Sequence, residues 1–152
     1  LVVVRTLSKS RALAGLRVGY ALGSPNLISG LCCVRDSINS YTVDRLAQAG
    51  AVAALEDGPY FEEMRERVIR TRERTEERLR AMGFAVLESK ANFLFVSHPK
   101  RTGKALLDGL REQGILVRWF DRPRIGNYLR ISVGTDDEMD ALRAALKALT
   151  EG

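Results

Sequence analysis

Residues 5–20, RTLSKSRALAGLRVGY, place an ammonium, several hydroxyls and a guanidinium between two short apolar runs. Leu1 to Val4 lead in and Val18 to Leu22 lead out. The β-branched, apolar run over Leu1–Arg5 predicts a buried strand, and Arg17–Leu22 a second one, with Leu7–Leu16 as a loop or short turn between them. Lys9 sits between Ser8 and Ser10, close after Thr6, and Arg17 follows eight residues later. A fold that satisfies this stretch needs a sheet with cationic chemistry gathered where two strands meet.

Three explanations fit a lysine in that position: a surface residue, a point charge for phosphate, or an amine that forms a Schiff base. Thr6, Ser8 and Ser10 offer hydroxyl donors, and Arg17 offers a rigid fork that matches phosphate oxygens. A dianion site beside a lysine is what pyridoxal 5'-phosphate (PLP) requires, because its phosphate must be anchored while its aldehyde condenses with an amine. Nearby cations and desolvation lower a lysine pKa and make the free amine available. Gly15 and Gly19 leave room for close backbone approach. A nucleotide phosphate loop is the rival, but no stretch fits G-x-x-x-x-G-K-[ST] or G-x-G-x-x-G; RTGKALL has Gly103 and Lys104 without the first glycine or the hydroxyl residue. On the residues alone, all three readings of Lys9 stay open.

Downstream, the periodicity predicts helices over Pro25–Val34, over VDRLAQAGAVAALED, and over about Pro59–Met82. The last carries a single apolar stripe of Phe61, Met64, Val68, Leu79 and Met82, with Thr75 between, and is closed by Gly83. At 1.5 Å per residue it spans about 35 Å, a length suited to joining two domains. FAVLES, ANFLFVS, ILVRWF and NYLRISVG read as strands, TGKALLDGLREQG as a helix, and TDDE as the start of a final helix in which Thr135 and Glu138 form a capping box. Met139, Leu142, Leu146 and Leu149 are its expected buried stripe. The expected organisation is α/β, with a first segment at 1–58 and a small α+β domain at 59–152 that includes the long helix.

The totals exclude some functions. Forty-five per cent of the 152 residues are hydrophobic and 28% charged, an ordinary soluble balance. No apolar stretch is long enough to span a bilayer. Cys32 and Cys33 are adjacent, read as buried helical side chains, and with no Cys/His spacing for a metal the expectation is no metal site. His98, before Pro99, reads as a loop residue. The net charge of +5 raises nucleic acid as a partner, but glutamates interleave the arginines of EEMRERVIRTRERTEERLRAM. That pattern suits a solvated helix face laced with i,i+4 pairs, so no nucleic-acid and no membrane partner is expected. Reduced cysteines suggest the cytoplasm. The chain opens on Leu1 without a methionine, as the C-terminal piece of a longer protein would.

TLSKSRALAGLRVGY closely resembles the lysine segment of the fold-type I PLP-dependent enzymes, the large aminotransferase superfamily. RDSINSYTVDRLAQAGAVAALED, ESKANFLFV and LRISVGT resemble the histidinol-phosphate aminotransferase branch of it. The resemblance runs the length of the chain and implies the C-terminal part of the large PLP-binding domain followed by the small domain. It implies that Lys9 is the Schiff-base lysine, that Arg17 holds the cofactor phosphate, and that Thr6 and Ser8 contact that phosphate. It implies further that Arg130 grips the anionic end of the substrate, that Arg118 helps bind a substrate phosphate, and that Asn92 lies near the substrate. The chain has SYTVD where the family often has a Pro-Tyr-Asn-type run, so Tyr41 carries no expectation. The family's aspartate for the pyridine nitrogen, its ring-stacking aromatic, its asparagine on the ring oxygen and its cross-dimer tyrosine have no counterpart in this chain.

Structural readings stand beside these. Arg130 on an apolar strand can pair with a structural carboxylate, since a buried guanidinium needs an anion. Arg118 can stack on the neighbouring Trp119 ring. Two arginines twelve residues apart on neighbouring strands can instead converge on one phosphate. The activity the resemblance implies is transfer of an amino group between histidinol phosphate, or a related donor, and 2-oxoglutarate through PLP, in a homodimer. The alternatives are another class I/II aminotransferase, a PLP-dependent phospho-amino-acid decarboxylase, or a catalytically incomplete fragment with no activity alone.

Overall fold

The computed structural model describes residues 1–151. The chain divides into two compact units, Leu1–Arg65 and the residues from Glu66 onward. The division falls within one continuous helix.

In the first unit the valine run forms strand β1 (Val2–Thr6), which pairs antiparallel with β2 (Gly19–Gly23) from Val2↔Gly23 to Thr6↔Gly19. A Cβ on Gly19 would stand 2.8 Å from the Arg5 carbonyl oxygen, so the pairing needs glycine there. Between the strands lie a one-turn helix α1 (Leu7–Ser10) and a 3-10 turn at Ala14–Leu16. Helix α2 (Pro25–Ile38) starts with its proline in the first turn, where the missing N–H costs nothing. Helix α3 (Arg45–Glu56) is capped by Asp44, whose carboxylate accepts from the Ala47 N–H at 2.9 Å.

Two expectations for this unit are corrected. Leu1–Arg5 is a strand but is not buried: Val4 is 74% exposed, and among the described residues β1 pairs with β2 alone. Apolar β-branched content predicts strand; it does not say how many layers cover the strand. Cys32 and Cys33 lie in α2 as expected, but Cys33 is exposed and Cys32 only half-buried.

Helix α4 (Gly58–Ala81) is the long helix, and Gly83 just beyond it takes φ +86°, the left-handed stop that favours glycine. In the second unit its C-terminal half buries Thr71, Arg72, Thr75 and Leu79 at steps of one, three and four. The stripe is therefore more polar than an apolar reading predicts; both threonine hydroxyls are hydrogen-bonded, whereas Nε of Arg72 is buried without a partner among the described residues. Thr75 Oγ1 donates to the Thr71 carbonyl at 2.7 Å, and Thr71 Oγ1 donates to Asp136 at 2.6 Å.

The second unit holds a four-stranded antiparallel sheet in the order β3 (Ala85–Val86), β4 (Phe93–Ser97), β6 (Leu129–Ser132), β5 (Arg118–Trp119). Strands β3 and β5 are two residues each, shorter than FAVLES and ILVRWF suggest. Alternation sends Leu94, Val96, Leu129 and Ile131 to one face. There they meet Leu106 and Leu110 of α5 (Gly103–Glu112) and Met139, Leu142 and Leu146 of α6 (Asp136–Glu151), with Leu79 of α4. The capping box forms: the Thr135 N–H donates to Glu138 at 2.7 Å and the Glu138 N–H to Thr135 Oγ1 at 3.3 Å. His98 lies just beyond β4, in an isolated bridge with Arg101, and its side chain is buried. It is 7% exposed, tilted against Phe84 with ring centroids 4.7 Å apart, and its Nδ1 accepts from the Lys100 N–H at 3.3 Å. Among the described residues no helix is long and apolar enough to cross a membrane.

Candidate active site

The candidate residues form two groups, one in each unit. The first surrounds Lys9. Because Thr6 and Gly19 are opposed at the end of the hairpin, and the Leu7 N–H donates to the Val18 carbonyl at 3.1 Å, the stretch from Leu7 to Val18 leaves and returns at one place. Lys9 stands three residues after that gate and Arg17 two residues before it, so the topology brings both to the same hairpin end.

Thr6 starts α1 as its N-cap, with Oγ1 accepting from the Ser8 N–H at 3.1 Å. The same oxygen lies 2.8 Å from Ser8 Oγ, which sets the two hydroxyls side by side. Ser10 Oγ turns away and donates to the Thr6 carbonyl at 3.2 Å. Arg17 has left-handed backbone, φ +55°, and its Nη1 donates to the Ala14 carbonyl at 3.0 Å. Ala12 is left-handed as well, at φ +56°. Non-glycine residues in that region cost of order 1 kcal/mol each and persist where the surroundings over-determine them. Neither Lys9 nor Arg17 is within salt-bridge reach of a carboxylate among the described residues. The hairpin end therefore collects two cations and a hydroxyl pair without an internal anion, and an added Cβ at Gly15 would meet nothing within 4 Å.

The second group lies on the face of the four-stranded sheet opposite its core. Arg118 and Arg130 are directly opposed across the β5–β6 ladder, so their side chains leave the same face. Like charges in that relation repel, and each guanidinium is held over an aromatic ring. Arg130 Cζ lies 4.2 Å from the centroid of Phe93, and Arg118 Cζ 5.0 Å from that of Phe120. Neither arginine forms an ion pair with a carboxylate among the described residues. The Trp119 stacking expected for Arg118 is corrected. Period-two alternation turns the neighbouring residue to the other face, where Trp119 packs against the core and its Nε1 donates to the Gly126 carbonyl at 2.6 Å.

Asn92 precedes Phe93 and is exposed, on a backbone held from several sides. Its own carbonyl accepts from the Val133 N–H at 2.9 Å. Ser89 Oγ accepts from the Ala91 N–H at 3.2 Å and donates to the Phe93 carbonyl at 2.6 Å. The Ala91 carbonyl accepts from Nη1 of the buried Arg72 at 3.2 Å. Asn92, Phe93 and Arg130 thus form one rigid patch. Phe93, Phe120 and Arg72 escape sequence reasoning, because their partners are chosen by strand register and tertiary packing and no local spacing reports either.

The model of aminotransferase class I and II matches residues 1–146. The histidinol-phosphate aminotransferase of Clostridium acetobutylicum is 54% identical over 147 residues, which cover 97% of this chain and 42% of that protein. The one from Chromohalobacter salexigens is 56% identical over 149 residues, 98% of this chain and 42% of that protein. Among solved structures, the histidinol-phosphate aminotransferase of Sinorhizobium meliloti in complex with pyridoxal-5'-phosphate superposes with a TM-score of 0.85 at 33% identity, covering 99% of this chain and 41% of that one. The chain thus spans about two-fifths of the length of these relatives. A match over nearly every residue, on a mixed α/β fold shared with a solved aminotransferase, has one consequence: the chain belongs to the class I and II aminotransferase family.

Proposed function

We propose that this chain is the C-terminal part of a PLP-dependent aminotransferase, and that the intact enzyme moves the amino group between histidinol phosphate and 2-oxoglutarate. The observation that carries the substrate reading is the Arg118–Arg130 pair: two guanidinia opposed on one sheet face, without a carboxylate partner among the described residues. An amino-acid carboxylate needs one such fork. Two adjacent forks match a phosphate dianion, which repays the cost of bringing like charges together.

The residues around Lys9 fit PLP. Lys9 would hold the aldehyde end, while the Thr6 and Ser8 hydroxyls and the Arg17 guanidinium would hold the phosphate. When bound, the cofactor supplies an aldehyde that condenses with amines and a pyridine ring that draws electrons from the adjoining carbon. The chain's own residues do the rest. The Lys9 amine, once free, takes the proton from the substrate α-carbon and returns it. Arg118 and Arg130 would grip the substrate's anionic end, and Asn92 beside Phe93 would line its approach, which fixes the orientation of the bound donor. Residues 1–58 belong in this reading to the large cofactor domain and 59–152 to the small one. The 54% identity to a histidinol-phosphate aminotransferase supports the donor, and the homodimer, the cytoplasmic location and the silence of these 152 residues by themselves belong to the same proposal.

The test is amino-group exchange by the full-length protein. Histidinol phosphate should support turnover with 2-oxoglutarate, giving glutamate. Release of carbon dioxide from an amino acid without need of a keto acid would favour the decarboxylase reading instead.

A further inference from the structure

Lys9 itself has no hydrogen-bond partner on its side chain among the described residues, so the backbone of its turn decides where its amine starts from. That turn is a single helical turn of four residues, a length that does not hold its shape alone. Two residues on, Arg11 forms the C-cap, its N–H donating to the Leu7 carbonyl at 3.2 Å. The Arg11 side chain then leaves the hairpin altogether. Its Nη1 donates to the Asp57 carbonyl at 3.3 Å, 46 residues away, and its Cζ lies 3.9 Å from the centroid of the Phe61 ring. Among the described residues this is the one hydrogen bond that ties the Leu7–Val18 stretch to anything beyond the hairpin.

The receiving end is well fixed. Asp57 caps α4: its Oδ1 accepts from the Tyr60 N–H at 3.2 Å, and its carbonyl, already accepting from the Phe61 N–H at 3.3 Å, takes Arg11 as a second donor. A helix N-terminus repels cations. The helix dipole therefore does not draw Arg11 there; the carbonyl and the ring face hold it against that field. The far end of the stretch has its own anchor, since Leu16 sits so close to α3 that a Cβ on Gly50 would come 2.8 Å from its Cδ1. Lys9 lies next to the polar anchor and Arg17 next to the apolar one.

We propose that Arg11 is a positioning residue for Lys9: by clamping the end of the lysine turn onto the α3–α4 junction, it sets where the amine stands. The inference rests on the reading of Lys9 as the PLP lysine. Arg11 touches neither cofactor nor substrate; it acts through the turn.

The test uses the full-length holoenzyme as wild type, Arg11→Ala, Arg11→Lys and Phe61→Leu. Each is loaded with PLP, and turnover is expressed per bound cofactor. Arg11→Ala should lower kcat roughly tenfold, the scale of a small misplacement of a reacting group, with KM for the amino donor changed less than about twofold. It should also shift the pH midpoint of the bound cofactor's visible absorbance. Arg11→Lys keeps a donor and a cation over the ring and should recover most of both, with Phe61→Leu in between. Unchanged kcat and pH midpoint in Arg11→Ala, or Arg11→Lys as impaired as Arg11→Ala, would overturn the proposal. Should Arg11→Ala not fold, the other two variants carry the same readings. Borohydride reduction of the wild type separates the two failures: label elsewhere than Lys9 ends the PLP reading, whereas label at Lys9 with unaffected variants ends only the role of Arg11.

Discussion

Arg118 and Arg130 face each other directly across the β5–β6 ladder, each braced on a phenylalanine ring and neither paired with a carboxylate among the described residues. Bringing two guanidinia together is unfavourable until an anion arrives. Each charge-assisted hydrogen bond to that anion contributes about 1.5–3 kcal/mol. Arg118→Gln or Arg130→Gln should therefore raise KM for the phosphorylated donor by roughly ten- to a hundredfold. A donor lacking the phosphate should lose much less with Arg118→Gln. Steady-state kinetics with the two donors separates these outcomes, and equal losses on both would argue against a shared phosphate site.

Phe93 supports Arg130 from beneath, with the guanidinium carbon 4.2 Å from the ring centroid. Phe93→Leu keeps bulk and removes the π face, so KM for the donor should rise by a few fold, in line with a cation–π contribution of about 0.5–1 kcal/mol at an accessible site. The unfolding midpoint measured by thermal denaturation should move little.

Gly19 has no room for a side chain, as its Cβ would lie 2.8 Å from the Arg5 carbonyl. Gly19→Ala should disturb the β1–β2 pairing at the end from which Lys9 departs. Lower PLP occupancy at a fixed cofactor concentration, read by absorbance titration, is the expected result.

The pH response of the second unit is set at the start of α6. Thr71 donates a hydrogen bond to Asp136, and Arg74, Arg67 and Arg70 add positive charge, so the Asp136 carboxyl is held below its ordinary range despite partial desolvation. Glu138 is held low as well, first by the Thr135 N–H and then by its hydroxyl. A carboxylate with a depressed native pKa stabilises the fold fully above the ordinary carboxylate range and loses that contribution as pH falls through the lowered value. Urea unfolding across acidic pH should show falling stability over that interval. Asp136→Asn should flatten the slope, and an unchanged slope would contradict the role of this network.

The core of the second unit closes on Leu79, fully buried, whereas Leu116 is 81% exposed. Leu79→Ala should cost about 2–5 kcal/mol through lost burial and a residual cavity. Leu116→Ala should stay within about 0.5 kcal/mol. Denaturant midpoints with an unchanged m-value would register both.

Features written in short-range spacing were legible in the sequence. The Thr135–Glu138 box is an i,i+3 relation, the Gly83 stop follows a helical stripe, and Lys9 with Arg17 sits between two apolar runs; all are read from neighbours along the chain. What depends on register was not. That Arg118 opposes Arg130, and that Phe93 and Phe120 but not Trp119 lie beneath them, follows from how β4, β6 and β5 align. Burial was misjudged where tertiary layers decide it. Val4 of β1, read as buried, is 74% exposed, with β2 as the ladder partner of β1 among the described residues, and the burial of His98 against Phe84 follows from packing that its loop position does not report. The Arg11–Asp57 bond spans 46 residues, and no local pattern signals it.

The most direct test of the whole account is to load the full-length protein with PLP, reduce it with borohydride and map the modified peptide. The account predicts the label on Lys9, in the peptide containing TLSKSR. Firmly bound cofactor with its label on any other lysine would contradict it.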